Sequence, residues 1–345
     1  MQLSSLEFDI TNSKRIFSCR KVGDYIIENY SNYSEISYYQ RIVCFRSLVN
    51  YIKRNNIQFI YIRYTHIANY FFIKFLKTMK KYKIKILLEI PTYPYDMEYK
   101  DIGKKQKLLL TIEKRNRKKF KKYVDAIITF QNYNEIFGVK TIKISNGIDL
   151  KMIPKKPIAK EGGSLNLIAV AGLNYWHGFD RLIEGMHEYY TNSPEQIVNF
   201  HIVGDVNSTI GMEYKELVDK YALGKYIFFY GNKIGSELDE VFSKCQMGIG
   251  SLGIHRIGIS EVKPLKSREY CARGIPFVYS FIDEDFDDKP FILKVSPDET
   301  PIDINRLIKF YNSNGFDSHE IRKFAVENLT WDVQIRCLLN QFRFV

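Results

Sequence analysis

The 345-residue chain contains no run of about 18 apolar residues, so no segment of it reads as a helix that spans a bilayer. Cysteine is scarce: Cys19, Cys44, Cys245, Cys271 and Cys337 are odd in number and show no paired spacing, which argues against a disulfide framework. His and Cys do not cluster at metal-ligand spacing, so no protein-bound metal is expected. The opening MQLSSLEFDITNSKR lacks the basic stretch and apolar core of a secretory leader, and a reducing cytoplasm is the expected compartment. Proline is also sparse, at 10 residues, and 45% of the chain is hydrophobic, which excludes a disordered hub and suffices for two ordinary cores.

Positive charge is abundant but lopsided. Residues 1–150 hold 28 Lys and Arg against 13 Asp and Glu, whereas residues 151–345 hold 23 against 26, so the whole net charge of +12 comes from the first half. Its densest part is Lys104–Lys122, with ten cations and Glu113 as its single acid. At helical spacing Leu109, Ile112, Phe120 and Tyr123 fall near one face, with cations around the rest. Such a helix suits the surface of an anionic membrane, each basic residue contributing about 1 kcal/mol when close to it; a solvated face of a lysine-rich protein is the alternative. The 25 Tyr and 24 Phe are spread through apolar runs and no RNA or DNA motif accompanies them, so nucleic acid is not an expected partner.

The most informative segment is EVKPLKSREYCARGIP, residues 261–276. Glu261 and Glu269 stand eight positions apart around a Lys-Pro-Leu-Lys core, between apolar strand-like runs at 246–251 and 277–280. The pattern is strand, loop, helix, strand, with Pro264 suited to the first helical turn and Gly274-Ile275-Pro276 to its end. A helix beginning there aims free N–H groups and its positive dipole end at the loop, a seat for phosphate. Glu269 then projects from the helix and Glu261 stays on the loop.

These residues, with the ending EYCARGIPFV, resemble the Glu-x7-Glu element of retaining GT-B glycosyltransferases of glycosyltransferase family 4. Further segments resemble the same family in the same order: ISNGIDL at 144–150, AGLNYWHGFDRLIEG at 171–185, Ile202-Val203-Gly204-Asp205, and YIFFYGNKIGSELDEVFSKCQMGIGS at 226–251. The resemblance implies two Rossmann-like parallel-sheet domains of α/β type facing across a cleft, with the last helix returning to the first domain. It implies that Glu261 meets the donor sugar, that Glu269 holds the ribose hydroxyls, and that the loop between them, Leu265 included, cradles the diphosphate. Gly172 and Asn174 would approach the donor, Gly204 would allow close approach at a strand end, and the backbone from Asn232 through Lys233 to Ile234 would read the base. The positions that carry a phosphate-gripping Arg and Lys in the family are Gly172 and His177 here. His177 is therefore either a phosphate ligand or a loop residue capping the next helix, and Lys266, then Lys263 and Arg256, are the cations expected to neutralise the leaving diphosphate.

The first half also alternates strand-like runs (59–64, 84–90 and 125–130) with amphipathic stretches at 67–79 and 104–122, which predicts a parallel sheet covered on both faces. Where the family has a His near the donor sugar, this chain has EIPTYPYDME, making Glu89, Thr92, Tyr93 and Asp96 acceptor-side candidates, with a tight proline-rich turn as the alternative. The Gly-rich loop that opens family members is missing from MQLSSLEFDI, so either the domain is trimmed or a segment precedes it. Domains are expected at 1–150, with 325–345 returning to it, and at 164–324, joined by a polar linker over 151–163; residues 319–342 read as helical. The implied activity is a retaining hexosyl transfer from a nucleotide-diphosphate sugar, with no cofactor and no required metal, to a glycan, including one on a lipid carrier, at the inner face of the membrane. The alternative is a degenerate relative that binds or stabilises another glycosyltransferase.

Overall fold

The computed structural model describes residues 4–11, 14–29, 44–66, 68–95, 104–156, 163–192 and 194–342. They fall into two compact units, Met1–Lys143 and Ile144–Val345.

The first unit begins with an antiparallel meander of β1 (Ser4–Thr11), β2 (Lys14–Val22) and β3 (Tyr25–Asn29), which the sequence reading did not anticipate. There follow α1 (Arg46–Arg54), β4 (Phe59–Arg63), α2 (Tyr70–Lys81), β5 (Lys85–Ile90), α3 (Lys104–Arg117), α4 (Phe120–Tyr123), β6 (Ala126–Thr129), β7 (Glu135–Ile136) and β8 (Val139–Lys143). Their sheet has the order β4-β5-β6-β8-β7, parallel except for β7. β5 and β6 are mostly apolar, Glu89 and Thr129 apart, because both faces are covered: β6 is buried throughout, and in β5 only Lys85 is exposed. Asn69 sets the start of α2, its side chain accepting the Phe72 N–H at 2.9 Å, and Phe72, Phe75, Leu76 and Met79 then enter the core at helical spacing.

The basic stretch departs from its expected single face. α3 stops at Arg117 and a turn at Lys118 and Lys119 re-aims the chain, so Phe120 is fully buried while Leu108, Leu109 and Ile112 remain 61%, 51% and 38% exposed. What α3 turns inward is its one acid. Glu113 is buried and accepts hydrogen bonds from the hydroxyls of Tyr64 and Tyr95, each at 2.7 Å, and from Arg117 at 3.2 Å. A carboxylate removed from water needs such donors, and these anchor the cationic helix to the ends of its own sheet.

The second unit contains β9 (Ser164–Val170), α5 (Phe179–Thr191), β10 (Ile197–Val203), α6 (Thr209–Lys220), β11 (Ile227–Phe229), α7 (Gly235–Lys244), β12 (Met247–Ile249), α8 (Leu265–Arg273), β13 (Phe277–Tyr279), β14 (Ile292–Lys294), α9 (Ile304–Asn314), α10 (Ser318–Asn328) and α11 (Trp331–Phe342). All six strands are parallel, in the order β11-β10-β9-β12-β13-β14. The order reverses between β9 and β12, so the chain leaves their carboxyl ends in opposite directions and opens a crevice there. Helix α8 lies close over this point because Gly248 admits the Tyr270 ring: a Cβ at 248 would come within 2.5 Å of it. The Tyr270 hydroxyl then donates to the Ile249 carbonyl at 3.0 Å and accepts the Val170 N–H at 3.2 Å, tying α8 to both strands of the reversal.

The helical stretch predicted over 319–342 is two helices, broken where Ile148 bridges Thr330 and its N–H donates to the Leu329 carbonyl at 2.9 Å. Beside this bridge Gly147 lies under Trp331, whose ring a Cβ at 147 would meet at 2.4 Å. The asparagine-glycine turn of residues 144–150 thus belongs to the second unit, and its glycine is required by Trp331.

Candidate functional site

Two loops form the site, one from each strand of the reversal. After β9 the chain passes through Gly172, exposed and with open space where a side chain would begin, to a 3-10 turn at Tyr175–His177. His177 Nδ1 accepts the Asn174 N–H at 3.1 Å, and the Asn174 side chain donates to the Gly172 carbonyl at 2.7 Å, so the loop is locked on itself. Nδ1 being an acceptor, the proton sits on Nε2. Burial first, and then the nearby Lys266 charge, push the His177 pKa down to about 3. His177 thus caps this turn through Nδ1, and as a neutral ring it offers one hydrogen bond from Nε2 but no charge. Gly178, at φ 64°, lets this loop press against the one from β12; a Cβ there would lie 2.6 Å from the Gly253 nitrogen.

The loop after β12 runs from Ser251 to Pro264. Pro264 is extended and precedes the helix rather than opening it, and α8 begins at Leu265, which is half exposed. Three cations were expected to face a phosphate here, and they have different fates. Arg256 is committed to Asp180, at 3.0 and 2.6 Å, and to Glu299. Lys263 is buried, with its amine on Asp285 at 2.9 Å. Among the described residues Lys266 has no carboxylate partner: its amine donates to the Ser251 hydroxyl at 3.2 Å and lies 5.7 Å from the centre of the Phe179 ring. The side chain is partly exposed along its length, yet the amine is desolvated and its pKa falls to about 7. A cation without a counter-ion, in the first turn of a helix at a strand-order reversal, is a place where an anionic ligand replaces lost water.

Beneath the loop lies a charge cluster that sequence reasoning missed. Arg268 is fully buried and pairs with Asp283, also fully buried, through two hydrogen bonds, one of them 3.0 Å long; it further binds Asp285 and donates to the Ser145 hydroxyl at 3.1 Å. Ser145 in turn hydrogen-bonds Asp285, and the neighbouring Asn146 side chain donates to the Lys263 carbonyl at 3.2 Å. Two cations and two anions balance, so the cluster fixes the loop from below without adding net charge. Asn146 Oδ1 and the Ser267 hydroxyl, both buried, have no hydrogen-bond partner among the described residues. The one sequence signal for the cluster was the Asp-Glu-Asp run following β13.

Glu261 is held through its backbone, which bridges Ile282, with the Val262 N–H on the Ile282 carbonyl at 3.2 Å. Glu269 is half-buried and accepts from Arg273 at 2.9 and 2.8 Å; Arg273 also meets Asp239. At Gly204 a Cβ would lie 2.1 Å from the Ala171 carbonyl, so the glycine is required by the packing of the strand ends, and its N–H donates to the Gly231 carbonyl at 3.0 Å, lacing the ends of β9, β10 and β11 together. Beyond Gly231, Asn232 is exposed, Lys233 pairs with Glu237 at 3.3 Å, and Ile234 is 82% exposed.

Of the acceptor-side candidates, Glu89 ends β5 as a buried carboxylate that accepts the Tyr61 hydroxyl at 2.5 Å and pairs with Arg63 at 3.3 Å; burial pushes its pKa up. Thr92 is half-buried, the Tyr93 N–H donates to Gln131 at 2.7 Å, and Asp96 lies outside the described residues.

No protein-family profile and no curated protein matches this chain. Solved structures do. Sucrose-phosphate synthase from Thermosynechococcus elongatus superposes with a TM-score of 0.63 at 15% identity, over 94% of this chain and 83% of that one. A glycosyltransferase from Rickettsia africae gives 0.63 at 14%, over 92% and 84%. Anabaena HepE in complex with UDP gives 0.58 at 12%, over 86% and 82%. The fold is that of the GT-B glycosyltransferases. At these identities the likeness concerns architecture, and the chemistry has to come from the site.

Proposed function

We propose that this protein is a glycosyltransferase that moves a hexose, with retention at the anomeric carbon, from a nucleotide-diphosphate sugar to a glycan acceptor, including one carried on lipid. The observation that carries the proposal is Lys266, a desolvated amine with no carboxylate partner in the first turn of α8 at the strand-order reversal. As the glycosidic bond breaks, negative charge gathers on the departing diphosphate. Lys266 and the free N–H groups of the α8 start would stabilise that charge, Glu261 would favour the positive charge developing on the sugar, and Glu269 would hold the ribose. Arg256 and Lys263 would position the loop rather than touch the phosphates, because their charges are already matched.

For the acceptor side we assign Glu89, with Thr92 and Tyr93, in the first unit. Leu108, Leu109 and Ile112, exposed among the cations of Lys104–Lys122, suit contact with an anionic membrane surface. Among the described residues no helix is long and apolar enough to cross a membrane.

The test is a thermal-shift screen with UDP, GDP, ADP and TDP sugars and a CMP sugar, UDP-glucose being the first choice because HepE was solved with it. A ligand at 100 times its Kd adds about 2.7 kcal/mol to the folded state, so one of the diphosphate sugars should raise the midpoint. If none does, the proposal fails. The open position at Gly172 and the neutral His177 favour a second reading, a non-catalytic binding subunit. Nucleotide-sugar binding with neither hydrolysis nor transfer would decide for it.

A further inference from the structure

Beside the donor loop, the turn carrying Tyr175 and helix α6 line a cavity of about 250 Å³. Its walls divide by chemistry. Tyr175, an aromatic ring 47% exposed, stands with the aliphatic Ile210 and Leu217. The exposed Glu213 supplies acceptors, while Asp180 and Arg256 line the wall as a pair, the Arg256 N–H groups being spent on Asp180, Glu299 and the Tyr175 carbonyl. Tyr214 completes the lining: it is 4% exposed, with its hydroxyl beside the Phe179 backbone.

Charge narrows the ligand. Arg256 is matched by both Asp180 and Glu299, so Glu213 and the nearby Glu184 leave the surroundings negative. Burial, followed by the Asp180 charge, accordingly raises the Glu184 pKa. Phosphates, nucleotides and uronic acids are therefore disfavoured. A bare metal ion fits poorly too, since it needs a cage of several oxygens and both Asp180 oxygens already accept from Arg256 at 3.0 and 2.6 Å. A neutral sugar ring suits the walls: its hydroxyls donate to carboxylate oxygens while its C–H face lies on an aromatic ring. The volume is enough for one ring.

We propose that this cavity is a saccharide subsite that seats one neutral pyranose ring, separate from the donor crevice. It does not depend on the donor assignment, although under glycosyl transfer the seated ring would belong to the glycan. The experiment is saturation-transfer NMR of the full chain with methyl glucoside, methyl galactoside and N-acetylglucosamine, using galacturonate and putrescine as charge controls, each with and without UDP. At least one neutral sugar should bind in both conditions. Tyr175→Ala and Glu213→Gln, both at exposed positions, should each weaken that binding at least about fivefold, and Glu213→Gln, outside the donor loops, should leave the thermal midpoint and any UDP-induced shift unchanged. Absence of sugar binding, sugar binding unaffected by both variants, or binding of putrescine in place of the sugars would overturn the proposal. Sugar binding without any nucleotide response would sink only the donor assignment.

Discussion

Lys266→Ala is expected to lower turnover of a nucleotide-diphosphate sugar by roughly 100- to 1,000-fold, the loss of about 3 to 4 kcal/mol that accompanies removal of one preorganised partner of a charged transition state. Its effect on folding should have the opposite sign. The amine's pKa lies near 7 in the folded protein, well below the ordinary lysine value, because it is desolvated without a counter-ion. The unfolded chain therefore binds more protons between about pH 7 and the ordinary value, and the parent gains stability as pH rises through that window and loses it as pH falls towards 7. Lys266→Met removes this cost, so its thermal midpoint at pH 6.5 should exceed the parent's and the difference should shrink by pH 9. Ligand binding carries the same linkage with the sign reversed. A diphosphate raises the amine's pKa, binding takes up a proton above pH 7, and UDP affinity should fall as pH climbs from 7 to 9, approaching about tenfold per unit at most. Titration calorimetry at several pH values reads this directly. An affinity independent of pH in the parent, or turnover in Lys266→Ala equal to the parent's, would show that the amine does not meet phosphate.

The contrast between Lys266 and its neighbours shows how far the residues alone could be read. The strand, loop and helix around Glu261 and Glu269 were legible because apolar runs, Pro264 and Gly274 punctuate them locally; Gly274 ends α8 at φ 77°, a conformation that favours glycine. Which cation stays available was not legible. Lys263, Arg256 and Lys266 are alike in the sequence, and only long-range partners separate them: Asp285 takes the first, Asp180 and Glu299 the second. His177 was ambiguous for the same reason, since burial and the Lys266 charge decide its protonation. The basic stretch shows the complementary failure. Its periodicity placed Leu109 and Ile112 on the face of Phe120, but the turn at Lys118 and Lys119 breaks that register, and Glu113 faces inward because two tyrosine hydroxyls and Arg117 await it. The opening meander carried no strong signal, and antiparallel strands are specified by pairing more than by composition.

Arg268→Ala should be the most damaging single change to stability, at about 3 to 5 kcal/mol, because it leaves Asp283 as a carboxylate with no exposure and no cation of its own. The damage comes from orphaning the partner and not from losing a favourable pair, and that distinction can be tested. A double variant, Arg268→Met with Asp283→Leu, removes both charges and leaves Lys263 and Asp285 paired at 2.9 Å, so it should recover most of the midpoint lost by Arg268→Ala in urea. Lys263 would still hold Asp285, and Asn146 would still hold the Lys263 carbonyl, so the loop that presents Lys266 should keep its shape and the double variant its nucleotide response. If Arg268→Ala unfolds within about 1 kcal/mol of the parent, the buried cluster is not what fixes this loop. If instead the double variant is stable but no longer responds to nucleotide, Arg268 acts on the ligand itself, and the phosphate-binding cations extend two positions along α8 beyond Lys266.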